Sequence, residues 1–187
     1  MVCCISTFLE EIDHEFQDFR EFKVNRKAYR VDRNGIKAYC QLNAMKSVDY
    51  YEDHQNKGFL VVEFSDLIKQ DQQIALKVQE LLDSNLDKRL KTEIRKNYYN
   101  EINRELIQKY KDSLHIKNTM STCIKNIPQS FNGIADFVVV VAPIDEKNRI
   151  DIVRFIEQLK AKLCTGLSKG MVKNIHIVPL DHFISAS

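Results

Sequence analysis

Two uninterrupted apolar runs constrain the fold more than any other feature of this sequence. The longer run is DFVVVVAP, over residues 136–143, and it is rich in β-branched valine. The shorter run, FLVV, covers residues 59–62. A strand without alternating polar residues is covered on both faces, and β-branched residues fit a pleated surface. Both runs therefore predict central strands of a sheet that has other elements packed on each side.

The chain after residue 143 predicts a second strand parallel to the longer run. A helix is predicted to follow residues 145–148 and to end at Gly166 and Gly170, and its predicted core face consists of Ile150, Val153, Ile156, Leu159 and Leu163. The alternating segment 173–179 (KNIHIVP) predicts a final strand. Two strands that flank a helix are expected to be parallel and joined by a right-handed crossover.

The first part of the chain predicts an opening helix and then an antiparallel meander. Thr7 and Glu10 form the pattern of a capping box, and apolar residues recur at helical spacing, which predicts a helix over 7–22. Four strands are predicted to follow, over 28–32, 36–42, 46–51 and 59–64. An Asn-Gly pair between the first two favours a hairpin, because both residues tolerate positive φ.

The middle of the chain predicts two helices, over 66–83 and from 86 to about 116, with a break at Ser84-Asn85. Apolar residues of the longer helix recur every four positions, so its apolar stripe winds around the helix. Residues 117–134 predict a loop, with or without one short helical turn. The predicted fold is α/β, in one domain over 1–187: an opening helix, an antiparallel β-meander, a helical hairpin insertion at about 66–116, and a βαβ unit completing a mixed central sheet.

Composition and motifs exclude several classes of protein. The five cysteines form no C-x-x-C pair and are odd in number, which indicates free thiols in a reducing compartment and argues against a zinc site. We therefore expect a cytoplasmic protein, without a secretory signal and without a membrane partner. The five glycines form no phosphate-binding loop, and the five histidines lack metal-ligand spacing.

An acidic group in the predicted meander is the main candidate for chemistry. Asp49, Glu52 and Asp53 precede the strand predicted over 59–64, and Glu63 lies at its far end. Mg²⁺ takes one or two carboxylates in proteins, lowers the pKa of a bound water and neutralises developing charge in phosphodiester hydrolysis. Asp49 and Glu63 can share one Mg²⁺ if their strands pair, with Asp53 as an alternative ligand. The same pattern also arises if Asp49 and Asp53 are solvated turn residues and Glu63 merely ends a strand, with no catalytic role.

The order of these elements, with Asp49 followed by V-V-E-F-S, resembles the restriction-endonuclease-like PD-(D/E)xK superfamily. That family carries an acidic residue, a variable spacer and (D/E)-x-K at the end of a buried strand. The matching residues here are Asp49 or Asp53, then Glu63, with Ser65 at the lysine position. The resemblance implies metal-dependent hydrolysis of DNA or RNA with Mg²⁺ as cofactor, and it implies that Glu10 is the family's opening-helix glutamate.

Ser65 departs from the family pattern because serine carries no positive charge. Lys57 on the predicted turn, or Lys69 one turn into the next helix, is the candidate to supply that charge and assist catalysis. Without such a lysine, the resemblance implies an inactive site on a fold that is kept as a scaffold.

The longer predicted helix is the second candidate, as a nucleic-acid surface. Residues 86–117 contain nine Lys or Arg and five Asp or Glu, hence a local net charge of +4, whereas the whole chain carries only +2. Such side chains make most phosphate contacts; the candidates are Lys88, Arg89, Lys91, Arg95 and Lys96. A charged helix is also typical of a solvated face with i, i+4 pairs, and the winding apolar stripe fits docking on another protein.

Two functions therefore remain open. One is a nuclease, or a nuclease-fold subunit of a nucleic-acid-processing or defence complex. The other is a non-catalytic structural or interaction subunit of a larger assembly that docks through helices 66–116.

Overall fold

The computed structural model describes residues 2–83, 87–144 and 149–186, and within these ranges the side chains of residues 81, 82, 95, 149 and 151 lie outside the described part. The break predicted at Ser84-Asn85, the predicted helix start at Leu86 and the helix lead at 145–148 lie outside the described residues.

The described ranges contain eight strands and five α-helices. In chain order they are β1 (Cys3–Cys4), β2 (Leu9–Glu11), β3 (Lys27–Arg30), α1 (Ile36–Tyr39), β4 (Tyr50–His54), β5 (Gly58–Phe64), α2 (Leu67–Leu82), α3 (Lys88–Met120), β6 (Ile124–Lys125), β7 (Asp136–Val141), α4 (Arg149–Gly166), β8 (Ile175–Pro179) and α5 (Leu180–Ser185). Short 3-10 turns occupy Ile5–Phe8, Gln17–Phe19 and Gln129–Asn132.

Six strands form one mixed sheet in the order β2-β3-β4-β5-β7-β8. Strands β2 to β5 are an antiparallel meander, and β5, β7 and β8 run parallel to one another. Strands β1 and β6 pair separately as a short parallel sheet. The prediction of an α/β fold, with a meander, a long helical insertion and later parallel strands in one mixed sheet, is confirmed.

Each face of this sheet buries its own core, which explains the two apolar runs. Phe59 and Val61 of β5 join a helix-side core beneath α3 and α4, whereas Leu60 and Val62 join a loop-side core formed with the N-terminal segment and α5. All residues of β7 are buried as well. Because side chains alternate between faces along a strand, a strand with a core on both sides needs apolar residues at nearly every position.

The predicted opening helix over 7–22 is wrong. Residues 9–11 form edge strand β2 instead, with Leu9 opposite Tyr29 in β3. Phe8 is buried in the helix-side core, but Ile12 and Phe16 are buried in the loop-side core, on the other face of the sheet. One helix cannot supply both faces of a sheet. The helical spacing therefore arises from an extended chain that passes around the edge of the sheet.

The predicted hairpin between 28–32 and 36–42 is also wrong, because residues 36–39 form helix α1. Arg33 has a φ of 52°, and a Cβ on Gly35 would lie only 2.4 Å from the backbone oxygen of Arg30. This tight turn leads into α1, and β3 pairs instead with β4, which begins four residues later than the strand predicted from residue 46. The turn predicted at Lys57 is present as the hairpin between β4 and β5, and Gly58 adopts a φ of 79° there.

The structure contains both predicted helices of the insertion, but the second helix ends later than predicted. Helix α3 continues to Met120, because Ile116 and Met120 are buried in the helix-side core. The rest of the predicted loop contains β6 and a 3-10 turn. In α4, Leu159 and Leu163 are buried as predicted, but Ile150 is 70% exposed. Helix α5 is an element that the sequence pattern did not predict.

Among the helices of the described ranges, none is both long and apolar enough to cross a membrane.

Candidate functional site

Two buried carboxylates lie opposite each other where β4 begins and β5 ends. Tyr50 pairs with Val62 in the antiparallel ladder, so the next position along the register sets Asp49 against Glu63. Side chains that are directly opposite in such a pair have Cβ atoms roughly 4.5–5.5 Å apart. Asp49 is 7% exposed and Glu63 is 1% exposed. The structure therefore brings together the two residues that the sequence proposed as a shared metal site.

Backbone contacts fix Asp49 at this position. Its Oδ2 accepts a hydrogen bond of 2.7 Å from the backbone N–H of Phe64, one residue beyond Glu63. Its backbone carbonyl oxygen accepts a hydrogen bond of 2.9 Å from the backbone N–H of Val31. Ser65, at the lysine position of the motif, donates its backbone N–H to Val140 of the neighbouring strand. The acidic pair is thus held by the ends of several strands rather than by a mobile turn.

A lysine from a distant element completes the group. Lys109 on α3 places its Nζ 2.6 Å from Oε1 of Glu63, across 46 positions of sequence. Helix α3 is held in this position by Ser113, whose Oγ accepts 2.9 Å from the N–H of Val48 and whose carbonyl accepts from the hydroxyl of Tyr51. Lys109 supplies the positive charge that Ser65 cannot.

Sequence reasoning missed Lys109 as a site residue, although one signal was present. Leu106, Lys109, Tyr110 and Ser113 lie at positions i, i+3, i+4 and i+7, so they share one helix face. Leu106, Tyr110 and Ser113 are buried. A lysine on the buried face of a helix needs a partner, because a buried charge is costly unless it is paired. The sequence does not say which acidic residue that partner is.

Burial perturbs both carboxyl groups, and the charge of Asp49 adds to the shift of Glu63. Burial raises the pKa of Asp49 to about 6, against the opposing hydrogen bond from Phe64. Burial and the nearby charge of Asp49 also raise the pKa of Glu63 well above its ordinary value, although Lys109 opposes this shift. Burial alone would lower the pKa of Lys109, but Glu63, Asp49 and Glu105 outweigh it and raise the pKa. Lys109 is therefore a cation at neutral pH.

Further charges surround the pair. Glu105 lies 3.9 Å from the Nζ of Lys109. On the other side, Arg33 forms an ion pair with Glu15, and the charges of Asp32 and Glu15 act on the carboxyl of Asp49. Arg33 and Glu15 line a polar cavity of about 930 Å³ formed by the N-terminal segment. A charge at the wall of this cavity therefore acts on Asp49.

The structure separates Asp53 and Lys57 from the acidic pair. Asp53 pairs with Phe59 and accepts a hydrogen bond of 2.6 Å from Ser130, and the Nζ of Lys57 reaches the carbonyl of Ala186 at 3.4 Å. At about 3.4 Å per residue along β5, these positions lie roughly 14 and 20 Å from Glu63. Asp53 and Lys57 are distant because they lie at or near the hairpin turn, and this turn is at the opposite end of β4 and β5 from Asp49.

Lys69 and Glu10 lie on the other side of the sheet. Lys69 is exposed near the start of α2 and lines a cavity with Phe16 of the loop-side core. Glu10 is on edge strand β2, where it accepts a 2.7 Å hydrogen bond from Arg30 and one of 3.3 Å from the hydroxyl of Tyr50. Glu10 cannot act as the family's opening-helix glutamate, because no such helix forms and its contacts are with the loop-side face.

The basic residues proposed for nucleic-acid contact line the first turns of α3. Lys88, Arg89 and Lys96 are exposed and Lys91 is half-buried, while the side chain of Arg95 lies outside the described part. Arg89 lies 3.5 Å from Glu93, an i, i+4 pair. At 1.5 Å rise per residue, Lys96 is about 20 Å along the helix from Lys109. This surface is therefore distinct from the acidic pair.

Within the described ranges, no three His, Cys, Asp or Glu side chains cluster so that they could hold a metal ion. Asp49 and Glu63 are therefore two carboxylates that no third such side chain joins in this part of the chain. In comparisons with protein-family models, curated proteins and solved structures, none matches this chain.

Proposed function

We propose that this chain is a metal-dependent phosphodiesterase acting on DNA or RNA, of the restriction-endonuclease-like kind that its sequence resembles. Asp49 and Glu63 are the proposed ligands of Mg²⁺, and Lys109 takes the role of the lysine that Ser65 replaces. The observation that carries the proposal is the ion pair of 2.6 Å between Lys109 and Glu63, formed directly across the strand register from Asp49.

The residues present fit a divalent cation. Mg²⁺ commonly takes one or two carboxylates and keeps several waters, which matches a two-carboxylate set. Oε2 of Glu63 is buried and has no hydrogen-bond partner, so one donor atom is left over. When both acids are ionised, two negative charges face one ammonium, and the excess charge attracts a cation. A bound Mg²⁺ would activate a water and stabilise the charge that develops on the phosphate.

Lys109 has a defined part in this arrangement. An ammonium group has three hydrogen-bond donors, and one of them is directed at Oε1 of Glu63. Two donors remain for a phosphate oxygen or for the attacking water. Because the neighbouring acids raise its pKa, Lys109 donates hydrogen bonds and positive charge and does not act as a base at neutral pH. The proposed role is therefore electrostatic stabilisation and orientation of the water.

The exposed basic residues at the start of α3 are proposed to hold the substrate backbone. Lys88, Arg89 and Lys96 carry no base-reading arrangement, so their contribution would be independent of nucleotide sequence. Their distance from Lys109 corresponds to several nucleotides. The substrate would then be a polynucleotide strand rather than a mononucleotide.

A cleavage assay with matched variants tests the proposal. Labelled single- and double-stranded DNA and RNA are incubated with the protein and Mg²⁺, Mn²⁺ or EDTA. We expect metal-dependent cleavage that falls roughly 100-fold or more in Glu63→Gln, Asp49→Asn and Lys109→Met. Glu101→Gln and Lys111→Met alter exposed residues of the same helix and should leave cleavage unchanged, as should Lys57→Ala and Lys69→Ala.

Cleavage that persists at full rate in Glu63→Gln would come from a contaminant and would refute the proposal. Absence of cleavage by the folded protein, on every substrate and with both metals, would favour the second candidate: a non-catalytic subunit that docks on another protein through α2 and α3. That candidate is supported by Leu76 and Leu90, which are 67% and 39% exposed on these helices.

A further inference from the structure

Three cysteines from distant parts of the chain meet where α3 ends. Cys40 follows the last residue of α1, Cys123 lies just beyond Met120 at the end of α3, and Cys3 belongs to β1. The Sγ atoms of Cys40 and Cys123 are 3.1 Å apart, although the residues are 83 positions apart in sequence. Both thiols are free and partly exposed.

Cys3 is the third member of this group. Its backbone N–H donates a hydrogen bond of 3.3 Å to the carbonyl of Cys123. The negative charge of its thiolate form helps to raise the pKa of Cys40. The other two cysteines lie elsewhere: Cys4 accepts hydrogen bonds from Ser6 and Asn126, and Cys164 is exposed on α4. The chain thus carries built-in comparison thiols that do not share the Cys40–Cys123 contact.

We propose that Cys40 and Cys123 are a modification site: a thiol pair that is converted reversibly to a disulfide and that then fastens the C-terminal end of α3 to α1. The pair needs to approach by only about 1 Å to reach the S–S bond length of about 2.05 Å. Because both cysteines are partly exposed, a small oxidant can reach their sulfur atoms.

The oxidant is a low-molecular-weight disulfide of the glutathione class. Cys123 loses its proton, attacks one sulfur of that disulfide and displaces one small thiolate, which leaves a mixed disulfide on Cys123. Cys40 then loses its proton, attacks the Cys123 sulfur and displaces the second small thiolate. The two protein thiols lose two electrons and two protons, and the oxidant becomes two thiols.

The order of attack follows from the surroundings of Cys40. Burial, the hydrogen bond with Cys123 and the charges of Cys123 and Cys3 raise the pKa of Cys40 to about 12, so it is the poorer first nucleophile. Once Cys123 is in a mixed disulfide it carries no negative charge. Its contribution to the raised pKa of Cys40 is then removed, and the 3.1 Å contact places the Cys40 sulfur beside the disulfide that it attacks.

The disulfide would close a long loop between α1 and α3, and such a loop restricts the unfolded chain strongly. We expect oxidation to raise Tm by at least about 5 °C. This inference does not depend on the proposed hydrolytic activity, because its readouts are a covalent bond and a melting temperature.

The test equilibrates the full chain in glutathione buffers of graded potential, blocks remaining thiols with an alkylating reagent and maps the peptides without reduction. The expected result is a Cys40–Cys123 peptide, reversed by excess reduced glutathione, with a rise in Tm. Cys40→Ser and Cys123→Ser should each abolish both changes, and Cys164→Ser should abolish neither.

Two results would overturn the proposal. One is a wild-type protein in which Cys4 and Cys164 become glutathionylated while Cys40 and Cys123 remain alkylated as free thiols. The other is a map in which Cys3 forms the disulfide with Cys40 or Cys123, unchanged in amount by Cys164→Ser and lost in Cys3→Ser. Mapping of the wild-type chain decides between these outcomes even if a serine variant folds poorly.

Discussion

Lys109 of helix α3 and Glu63 of strand β5 form an ion pair with 2.6 Å between Nζ and Oε1, in which Glu63 is buried and Lys109 is partly exposed. The pair connects the helical insertion to the end of a central strand, directly beside Asp49. One contact thus links the helical insertion to the acidic residues that we propose as a metal site. The loss of this contact governs the expected behaviour of several variants below.

Loss of the lysine should destabilise the protein in a pH-dependent way. Lys109→Met leaves the carboxylate of Glu63 buried without its cation, and breaking a buried pair in this way costs up to 3–5 kcal/mol. Because Lys109 is partly exposed and Glu63 can take up a proton, we expect a loss of about 2 kcal/mol at pH 8 and less at pH 5. Urea unfolding at both pH values measures it.

The matched control is Lys111→Met, an exposed residue of the same helix, which should change the unfolding free energy by less than about 0.5 kcal/mol. The double variant Lys109→Met with Glu63→Gln should recover most of the loss, since position 63 then carries no buried charge that lacks a cation. Equal destabilisation by Lys109→Met at both pH values would contradict an electrostatic origin.

The acidic pair should make the protein less stable as pH rises. The pKa of Asp49 is raised to about 6 in the folded state, so its stabilising contribution is complete below about pH 4 and is lost as pH rises through 6. The difference between this pKa and the ordinary aspartate pKa of about 3.9 corresponds to about 3 kcal/mol. Glu63, whose pKa is also raised, acts in the same direction.

Asp49→Asn should flatten this pH dependence while its amide oxygen still accepts the hydrogen bond from Phe64. We expect the variant to be more stable than the wild type at pH 8 by roughly 1–3 kcal/mol and equal to it near pH 4. Unfolding free energies measured from pH 4 to 8 check this. A wild-type profile that rises across this range would show that the carboxyl groups are not the controlling groups.

Metal binding should compete with protons at the same atoms. Mn²⁺ or Mg²⁺ at about 100 times its Kd would stabilise the folded state by about 2.7 kcal/mol, or roughly 5–10 °C in Tm for a chain of this size. The rise should be larger at pH 8 than at pH 5.5, because the ligands must be deprotonated. Thermal melts with and without the metal measure it.

Glu63→Gln should abolish this metal-induced rise in Tm, and Glu101→Gln, which alters an exposed glutamate of α3, should retain it. A rise of equal size in both variants would mean that the metal binds elsewhere.

Ser113 should matter for both stability and activity, since it anchors α3. Ser113→Ala removes the acceptor of the buried N–H of Val48, and an unsatisfied buried donor costs about 1–3 kcal/mol. The same change loosens the helix that positions Lys109, so the cleavage rate should fall as well. Ser121→Ala, at an exposed serine just after the helix, is the comparison variant and should change neither quantity by a measurable amount.

The basic start of α3 should determine how salt affects substrate binding. Replacing Lys88 and Lys96 by alanine should weaken binding uniformly across nucleotide sequences and reduce the slope of log K against log salt by about one per lost phosphate contact. Fluorescence anisotropy at graded salt measures the slope. If the slope equals that of the wild type, these residues do not contact phosphate.

The sequence indicated the central part of the fold because its signals there are local. The apolar runs at 59–62 and 137–141 have no alternation, and the structure covers both faces of these strands. The hairpin around Gly58 and the long helices were likewise indicated by turn chemistry and periodicity. The register of that hairpin brings Asp49 opposite Glu63 with no help from distant residues.

The edges of the fold could not be predicted in this way, because contacts between distant segments decide them. Ile12 and Phe16 have helical spacing, yet their partners lie on the loop-side face and draw the chain into an extended path. The segment 36–39 has strand-like residues, but β3 finds its partner in β4, so this segment forms α1. Local propensity is a weak preference that tertiary contacts override.

A mixed α/β sheet with two carboxylates at adjacent strand ends could therefore be predicted, since strand alternation and hairpin register are properties of neighbouring residues. The cation that faces these carboxylates depends on contacts between distant segments. Lys57 and Lys69 are nearer to Glu63 in sequence, but strand direction and helix position carry them away from it. Lys109 reaches Glu63 because α3 packs across the sheet and is anchored by Ser113. The position of α3 on the sheet cannot be predicted from the spacing of neighbouring residues.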